Sequence, residues 1–201
     1  MMVRRALIYL AAIVTGCALG LGSALYMAGL WPEGRNMAFG NVDIGGWRSD
    51  FAVGSKAADP YTRARVARHG LLALAKSEAV YFTRAVDDAG EPLREACTYR
   101  LSGGAMPAEW WSVTLYDGKS MLPANTDGAL SVNAQGFPKG AWQAVIAPTR
   151  PANGGAWISS KGAGDFDLTL RLYIPNPALL ASPNTALTPP RIERLSCGGA
   201  A

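Results

Sequence analysis

The chain has 201 residues, a length that usually corresponds to one domain. Its composition is 49% hydrophobic and only 17% charged, against roughly 25% charged residues in typical soluble domains. One histidine, three cysteines and a net charge of +4 exclude a histidine-rich metal site, a small disulfide-dense toxin and a strongly basic nucleic-acid binder. We therefore expect no cofactor, no metal site and no nucleic-acid partner.

The amino terminus accounts for the low charge. Arg4 and Arg5 precede an uncharged run over residues 6–30. About 25 residues at about 1.5 Å each exceed the roughly 30 Å hydrocarbon core of a bilayer. The basic flank, with Tyr26 and Trp31 near the far end, predicts a single-pass inner-membrane anchor over 1–31, with a cytoplasmic amino terminus and a periplasmic domain.

Two alternatives concern this segment. A cleaved signal peptide has an apolar region of only about 7 to 15 residues, which is shorter than this run. A lipoprotein signal is the main alternative, because Val14, Thr15, Gly16 and Cys17 resemble the lipobox before an acylated cysteine. The apolar run continues to Leu30, where a lipoprotein normally begins a polar tether, so the uncleaved anchor is favoured.

Small residues recur every four positions within the anchor, at Gly16, Gly20, Ala24 and Ala28. This spacing places them on one helix face and predicts a possible homodimer seam. The simpler interpretation, which we favour, is that glycine and alanine are common in membrane helices.

A linker over 32–46 and one helix precede the strands. Residues 32–50 are rich in glycine and asparagine without periodicity, and the folded domain is expected over 47–201. Asp59 as N-cap and Pro60 as first residue predict a helix that continues to Ser77. Its buried side would carry Leu71, Leu72, Leu74 and Ala75, and its exposed side Arg63, Arg65, Arg68 and Lys76.

After the helix the hydrophobic period changes to two, which is typical of strands. The first two strands would form a hairpin about a turn at 87–90, and 178–190 would be a short helical turn and a proline-rich connection. In the clearest strand, Phe166, Leu168, Leu170, Leu172 and Ile174 would face the core. The predicted strands are 79–86, 93–102, 110–116, 129–133, 142–147, 157–159, 165–174 and 191–197.

This pattern predicts a mainly β fold: an antiparallel, jelly-roll-like β-sandwich with one packed α-helix, preceded by a transmembrane helix. No alternation of strands and helices occurs, so a parallel sheet is not expected.

Cys97 and Cys197 are expected to pair if the domain lies in an oxidising compartment. Cys97 shares its strand face with Tyr99 and Leu101, and Cys197 shares its face with Leu195, so both are expected to point inward. The alternative is two buried free thiols.

The sequence matches the common catalytic motifs poorly. His69 is the only histidine and lies in the predicted helix, so a serine triad is not expected. Residues 118–120 read Gly-Lys-Ser but lack the remaining features of a phosphate-binding loop, and we interpret them as a turn. Asp165 and Asp167 share a strand face at a spacing that suits a glycosidase pair or a loose Ca²⁺ site, although a polar rim is the simpler interpretation.

One polar, aromatic strand face suits binding of a sugar or a small acid. Our ligand-binding prediction rests on Trp110, Tyr116, Arg171 and Tyr173, accompanied by Ser112, Thr114 and Thr169. The alternative is that these residues form ordinary cross-strand pairs or lie beneath the helix.

Segments 109–117 (EWWSVTLYD) and 167–175 (DLTLRLYIP) resemble the two signature segments of domain-of-unknown-function family 1214. Residues 97–100 and 59–64 are similar to segments of its short, membrane-anchored bacterial members. The resemblance extends from about Gly46 to Cys197 and implies a jelly-roll-like β fold in the cell envelope. It implies no activity and no catalytic residues.

We therefore expect a membrane-anchored cell-envelope protein whose β-sandwich binds a small molecule or a protein in the periplasm, and which is more plausibly a binder than an enzyme. The alternative is a carboxylate-dependent hydrolase acting on a carbohydrate or small ester. A purely structural role would leave a flat surface without a pocket.

Overall fold

A computed structural model of the chain describes residues 2–28, 40, 42–68, 72–137, 140–152 and 154–198. The strands form two sheets that pack face to face. In chain order the elements are α1 (Met2–Met27), β1 (Val42–Ile44), β2 (Trp47–Ser49), α2 (Pro60–Arg68), β3 (Ala79–Arg84), β4 (Cys97–Gly103), β5 (Ala108–Asp117), β6 (Ser131–Asn133), a 3-10 turn (Ala134–Gly136), β7 (Trp142–Ala147), β8 (Trp157–Ser159), β9 (Phe166–Pro175), α3 (Pro177–Ala181), α4 (Pro183–Ala186) and β10 (Arg191–Cys197).

The six-stranded sheet has the order β1-β2-β3-β9-β5-β6, and the four-stranded sheet has the order β10-β4-β7-β8. The predicted two-sheet β fold with a preceding apolar helix is confirmed, while its jelly-roll topology stays a prediction. Neighbouring strands are antiparallel except for β7 and β8, which are parallel. The amide of Ser159 in β8 donates to the carbonyl of Ala129, just before β6. The parallel β8 strand therefore connects the edges of the two sheets.

The core lies between the sheets. Alternation in β9 buries Phe166, Leu168, Leu170 and Leu172 as predicted. Ile174 breaks this alternation, and its predicted core position is wrong: it is 54% exposed and has a φ of 50°. A left-handed backbone is costly for a β-branched residue, and here it turns the side chain off the core face.

The predicted hairpin between the first two strands after the helix forms only next to its turn, where Val86 and Pro92 make an antiparallel bridge, and it does not continue along the two strands. β3 pairs with β9, whereas β4 pairs with β7 and β10 in the other sheet. The turn at 87–90 is present, and ion pairs hold it against β10. Asp87, only 1% exposed, contacts Arg194 at 2.7 Å, and Asp88 contacts Arg191 at 3.1 Å. These pairs tie the crossing between the sheets to the last strand.

Asp59 caps α2 as predicted, because its carboxylate accepts the amides of Tyr61 and Thr62 and the hydroxyl of Thr62. Those hydrogen bonds hold the pKa of Asp59 below its usual value. The predicted extent to residue 77 is wrong, since the described chain from Leu72 onward is not helical and Leu72 is 70% exposed.

A close backbone approach explains the non-helical course of this segment. The carbonyl of Leu74 lies so near Gly54 that a Cβ there would be 1.9 Å from the oxygen. Leu71, the other leucine of the predicted apolar side, lies outside the described residues.

Helix α1 contributes nothing to the core. Residues Val3–Met27 are long and apolar enough to cross a membrane, a length and composition that a signal sequence also has. Cys17 is an exposed free thiol on this helix, and dimerisation through its small residues stays a prediction. Most of the expected linker lies outside the described residues, but its last part forms β1, which pairs with β2.

A disulfide joins Cys97 to Cys197, across a sequence separation of 100. The two cysteines lie directly opposite each other on β4 and β10. Cys97, Tyr99 and Leu101 are buried as expected. The inward orientation predicted for Leu195 and Cys197 is wrong, because the register of β10 shifts between Arg194 and Ser196 and leaves both exposed.

Candidate functional site

Strands β5 and β9 place the predicted ligand-binding residues on one surface. They pair antiparallel, with Trp110 opposite Tyr173 and Ser112 opposite Arg171. Alternation buries Trp111 between the sheets and turns its neighbours outward. We call the resulting outer surface of the six-stranded sheet the polar-aromatic face: Tyr81 and Thr83 of β3; Trp110, Ser112, Thr114 and Tyr116 of β5; Asp167, Thr169, Arg171 and Tyr173 of β9.

The four predicted ligand-binding residues form two pairs on this face. The rings of Trp110 and Tyr173 meet edge to face with centroids 5.3 Å apart. Arg171 donates a hydrogen bond from Nη2 to the hydroxyl of Tyr116, and its guanidinium carbon lies 5.3 Å from the Tyr116 ring centroid. Trp110 and Tyr116 are six residues apart on β5, about 20 Å. The structure thus places an aromatic pair near one end of the face and an arginine–tyrosine pair near the other.

All four residues are half-buried, so the face is neither an open cleft nor part of the core. Two clefts that the structure shows, of about 420 and 500 Å³, are lined by residues outside the polar-aromatic face. The alternative interpretation, cross-strand pairing, describes Trp110 and Tyr173 well. It does not describe Arg171, which contacts a residue four positions along β5 from its direct partner.

Small hydroxyl side chains form the floor between the two pairs. Ser112 and Thr169 are 7% and 4% exposed although they lie on the outer side of the sheet. Arg171 starts opposite Ser112 and reaches Tyr116, so its side chain crosses this floor. The Thr169 hydroxyl also lies 3.3 Å from that of Thr83. One flexible, charged side chain therefore covers part of the floor.

Arg171 is a half-buried cation without a carboxylate contact. Among the residues that the structure describes, no Asp or Glu oxygen lies within 4.0 Å of its guanidinium. Its one hydrogen bond in the same part of the chain is to Tyr116. Four of the five guanidinium N–H groups therefore have no protein acceptor there.

Asp167 lies on the outer face with Thr169, Arg171 and Tyr173, as the alternation predicts, but the sequence reasoning did not include it among the ligand-binding residues. It lies opposite Tyr116 and is half-buried. Burial and the nearby charge of Asp117 raise its pKa to about 7, against the opposing effects of a hydrogen bond from Thr169 and the charge of Arg171. A carboxyl that loses its proton near neutral pH is uncommon and marks functional sites more often than chance.

Asp165 is a solvent-exposed rim residue, which agrees with the simpler interpretation made from the sequence. The Asp165 side chain is 81% exposed and lies 3.9 Å from Arg94. Asp117, the acidic neighbour of Asp167, accepts the amides of Lys119 and Met121 in the turn at 118–120. This turn agrees with the interpretation made from the sequence.

Tyr81 was missed. It lies opposite Arg171, and its hydroxyl donates to the carbonyl of Leu72. Burial, followed by the charges of Tyr173 and Glu78, raises the pKa of Tyr81 against the effect of Arg171. The period-two pattern of its strand carried the signal that it points outward.

The other chemical candidates remain separate from this face. In the described ranges, no group of three His, Cys, Asp or Glu side chains could hold a metal ion. His69 lies outside those ranges.

These observations define a β-sandwich protein with a charged, aromatic face on its larger sheet. Residues 78–177 match the sequence model of a family described as "Protein of unknown function (DUF1214)". The chain therefore carries a DUF1214 domain, and the resemblance found in its strand segments is confirmed. The matched range contains β3, β5 and β9, the three strands of the polar-aromatic face.

Two solved structures are similar to the chain. One is the VPA0106 protein from Vibrio parahaemolyticus, at 18% identity and a TM-score of 0.54, with 68% of this chain and 35% of that chain covered. The other is a putative uncharacterized protein from Burkholderia cenocepacia, at 20% identity and a TM-score of 0.38, with coverages of 62% and 31%. The alignments cover about a third of each solved protein. The Vibrio protein supports the fold alone, and comparison with curated proteins gave no match.

Proposed function

We propose that this protein is a single-pass inner-membrane protein whose periplasmic β-sandwich binds a small ligand on the polar-aromatic face. In this proposal residues 1–31 are the cytoplasmic flank and anchor, 32–46 the linker and 47–201 the binding domain. The observation that carries the binding role is Arg171, a half-buried guanidinium with most of its donors unused within the described chain, which contacts Tyr116 and lies beside the Trp110–Tyr173 pair.

Three features support the location. The apolar helix is long enough to span a bilayer. Arg4 and Arg5 precede it, and basic residues favour the cytoplasmic side. The disulfide favours an oxidising space for the domain.

Cysteine accessibility in intact cells tests the location. Introduced cysteines at Arg5 and at Ser131, an exposed residue of β6, give labelling sites on opposite sides of the anchor. With a membrane-impermeant maleimide after outer-membrane permeabilisation, we expect labelling of Ser131→Cys but not Arg5→Cys, with the chain in the membrane fraction. Release of a shortened chain, or the reverse labelling, would contradict the anchor.

Energetics favour binding on this face, because one flexible side chain, that of Arg171, covers part of the floor. Arg171 gives up only one hydrogen bond to Tyr116 when it moves, a net cost on the order of 1 kcal/mol. A ligand that supplies charged acceptors can replace that bond with stronger ones.

Ligand binding is testable on the full chain in detergent micelles. Saturation-transfer NMR against a panel of neutral sugars, sugar acids and small carboxylic acids should find at least one binder. Trp110→Ala should weaken that binding at least tenfold, whereas Arg100→Gln on the outer side of the other sheet should not. Binding that is insensitive to Trp110→Ala, or no binder in the panel, would contradict the proposal.

A carboxylate-dependent hydrolase is the second candidate, favoured by the pKa of Asp167, about 7, and by the nearby Asp117. Hydrolysis of nitrophenyl acetate or nitrophenyl glycosides, lost in Asp167→Asn and kept in Asp165→Asn, would support it. Equal rates in both variants would exclude it. Neither of the two clefts described above is lined by Asp167, so binding is the preferred function.

A further inference from the structure

We propose that the ligand of the polar-aromatic face is a sugar acid of monosaccharide size, with its carboxylate on Arg171 and its ring against Tyr173 and Trp110. This inference rests on the binding role proposed above and names the ligand class of the same surface.

The carboxylate follows from the state of Arg171. A guanidinium has five N–H donors in a planar fork that matches a carboxylate with two parallel hydrogen bonds. Only Nη2 has a protein acceptor within the described chain, the neutral hydroxyl of Tyr116. Partial burial strengthens a charge-assisted pair relative to one in water. A neutral ligand would leave this cation without a carboxylate in contact among the described residues.

The size follows from the strand spacing. Arg171 and Tyr173 point to the same side of β9 and are two residues apart, about 7 Å. That distance is about the width of one pyranose ring with its carboxylate. Trp110 lies against Tyr173 with ring centroids 5.3 Å apart, which makes an aromatic wall beside the site of the ring. Neither of the two clefts described above is lined by residues of this half-buried face.

The preference for a ligand with hydroxyl groups follows from the hydroxyl side chains that form the floor. Ser112 lies opposite Arg171, and Thr114 and Thr169 form the next row along the sheet. When Arg171 turns from Tyr116 to a ligand, these hydroxyls lose their cover and need hydrogen-bond partners. A polyhydroxylated ring provides donors and acceptors there, whereas an aromatic acid such as benzoate provides none.

The test measures binding of D-glucuronate, D-glucose and benzoate to the full chain in detergent micelles by isothermal titration calorimetry. We expect glucuronate to bind at least ten times more tightly than either glucose or benzoate. Arg171→Gln should weaken glucuronate binding at least tenfold, and Arg171→Lys should weaken it less, because it keeps the charge but loses the fork. Arg100→Gln, which removes an exposed guanidinium from the other sheet, is the matched control and should leave binding unchanged.

A second variant, Tyr116→Phe, distinguishes an effect on binding from an effect on folding. It removes the hydrogen bond that holds Arg171 away from the ligand but keeps the charge of Arg171, so glucuronate affinity should rise a few-fold. A loss as large as that of Arg171→Gln, with both variants folded by near-UV circular dichroism, would overturn the inference.

The outcomes separate this inference from the binding role. Equal affinities for glucose and glucuronate overturn the carboxylate, and tighter binding of benzoate overturns the sugar ring. Absence of glucuronate binding overturns the ligand class altogether. In each case a different panel compound that binds and is lost in Trp110→Ala still supports a ligand site on this face.

Discussion

Replacing Asp167 with asparagine should stabilise the protein in a pH-dependent way. The pKa of this carboxyl is about 7 in the folded chain, against an ordinary value of 3.8. Between those values the folded state holds a proton that the unfolded state has lost, so the wild type loses stability as the pH rises through this range. Asparagine has nearly the same shape and does not titrate, so the variant avoids that loss.

The magnitude follows from the same values. From pH 5 to about 7 the wild type loses up to roughly 3 kcal/mol, at about 1.4 kcal/mol for each pH unit. Water that reaches the half-buried carboxylate stabilises its charged form and reduces this loss, so we expect the wild type to lose about 2 kcal/mol of unfolding free energy. Asp167→Asn should therefore gain about 2 kcal/mol over the wild type between pH 5 and pH 8.

Urea unfolding of the full chain in micelles, followed by tryptophan fluorescence, measures this change at both pH values. Asp165→Asn is the matched control: the same substitution two residues away, on a side chain that is 81% exposed. It should change stability equally at pH 5 and pH 8. The same pH-independent change in both variants would refute the burial of the Asp167 carboxyl.

Two further predictions concern the framework of the sandwich. Replacing Cys97 and Cys197 together by serine should cost about 4 to 5 kcal/mol, because the bond closes a loop with a sequence separation of 100; an unfolding midpoint that is the same with and without reductant would contradict this. Gly103→Ala should cost about 1 to 3 kcal/mol, because the new Cβ would lie 2.7 Å from the Trp142 ring, whereas Gly104→Ala, with nothing within 4 Å, should change stability by less than about 0.5 kcal/mol. Equal losses in the two glycine variants, measured by urea unfolding, would contradict the packing described at Trp142.

Local pattern was enough to predict most strands and most residues of the polar-aromatic face. Alternation along β9 placed Leu170 inward and Arg171 outward, and the same reasoning placed Trp110 and Tyr116 on the outer side of β5. Asp59 before Pro60 located the start of α2 for a purely local reason, the need to cap free amides.

The errors arose where non-local contacts decide the structure. A turn at 87–90 suggested a hairpin, yet β3 takes as its partner the distant β9, a choice no local pattern encodes. The helix stops early because the backbone at Leu74 packs against Gly54. Ile174 leaves the core through its own positive φ.

The properties of Asp167 and Arg171 could not be predicted from the sequence because they also depend on contacts between distant parts of the chain. Alternation shows that Asp167 points outward, but its pKa depends on burial among side chains from neighbouring positions and on Asp117, which belongs to another strand. Arg171 contacts Tyr116 and not Ser112, which lies directly opposite, because of the conformation of its side chain, and alternation along a strand does not predict that conformation.

The indole N–H resonance of Trp110 during titration with D-glucuronate tests the central claim most directly. Trp110 contacts Tyr173 on the polar-aromatic face, whereas Trp142 stacks on Trp111 inside the sandwich, with centroids 4.5 Å apart, and serves as an internal reference. The signal that disappears in Trp110→Phe identifies the Trp110 resonance in the two-dimensional proton–nitrogen correlation spectrum of the full chain. We expect a saturable shift of the Trp110 signal, an unmoved Trp142 signal and no shift of either in Arg171→Gln. An unmoved Trp110 signal, or a shift that persists in Arg171→Gln, would contradict the site proposed here.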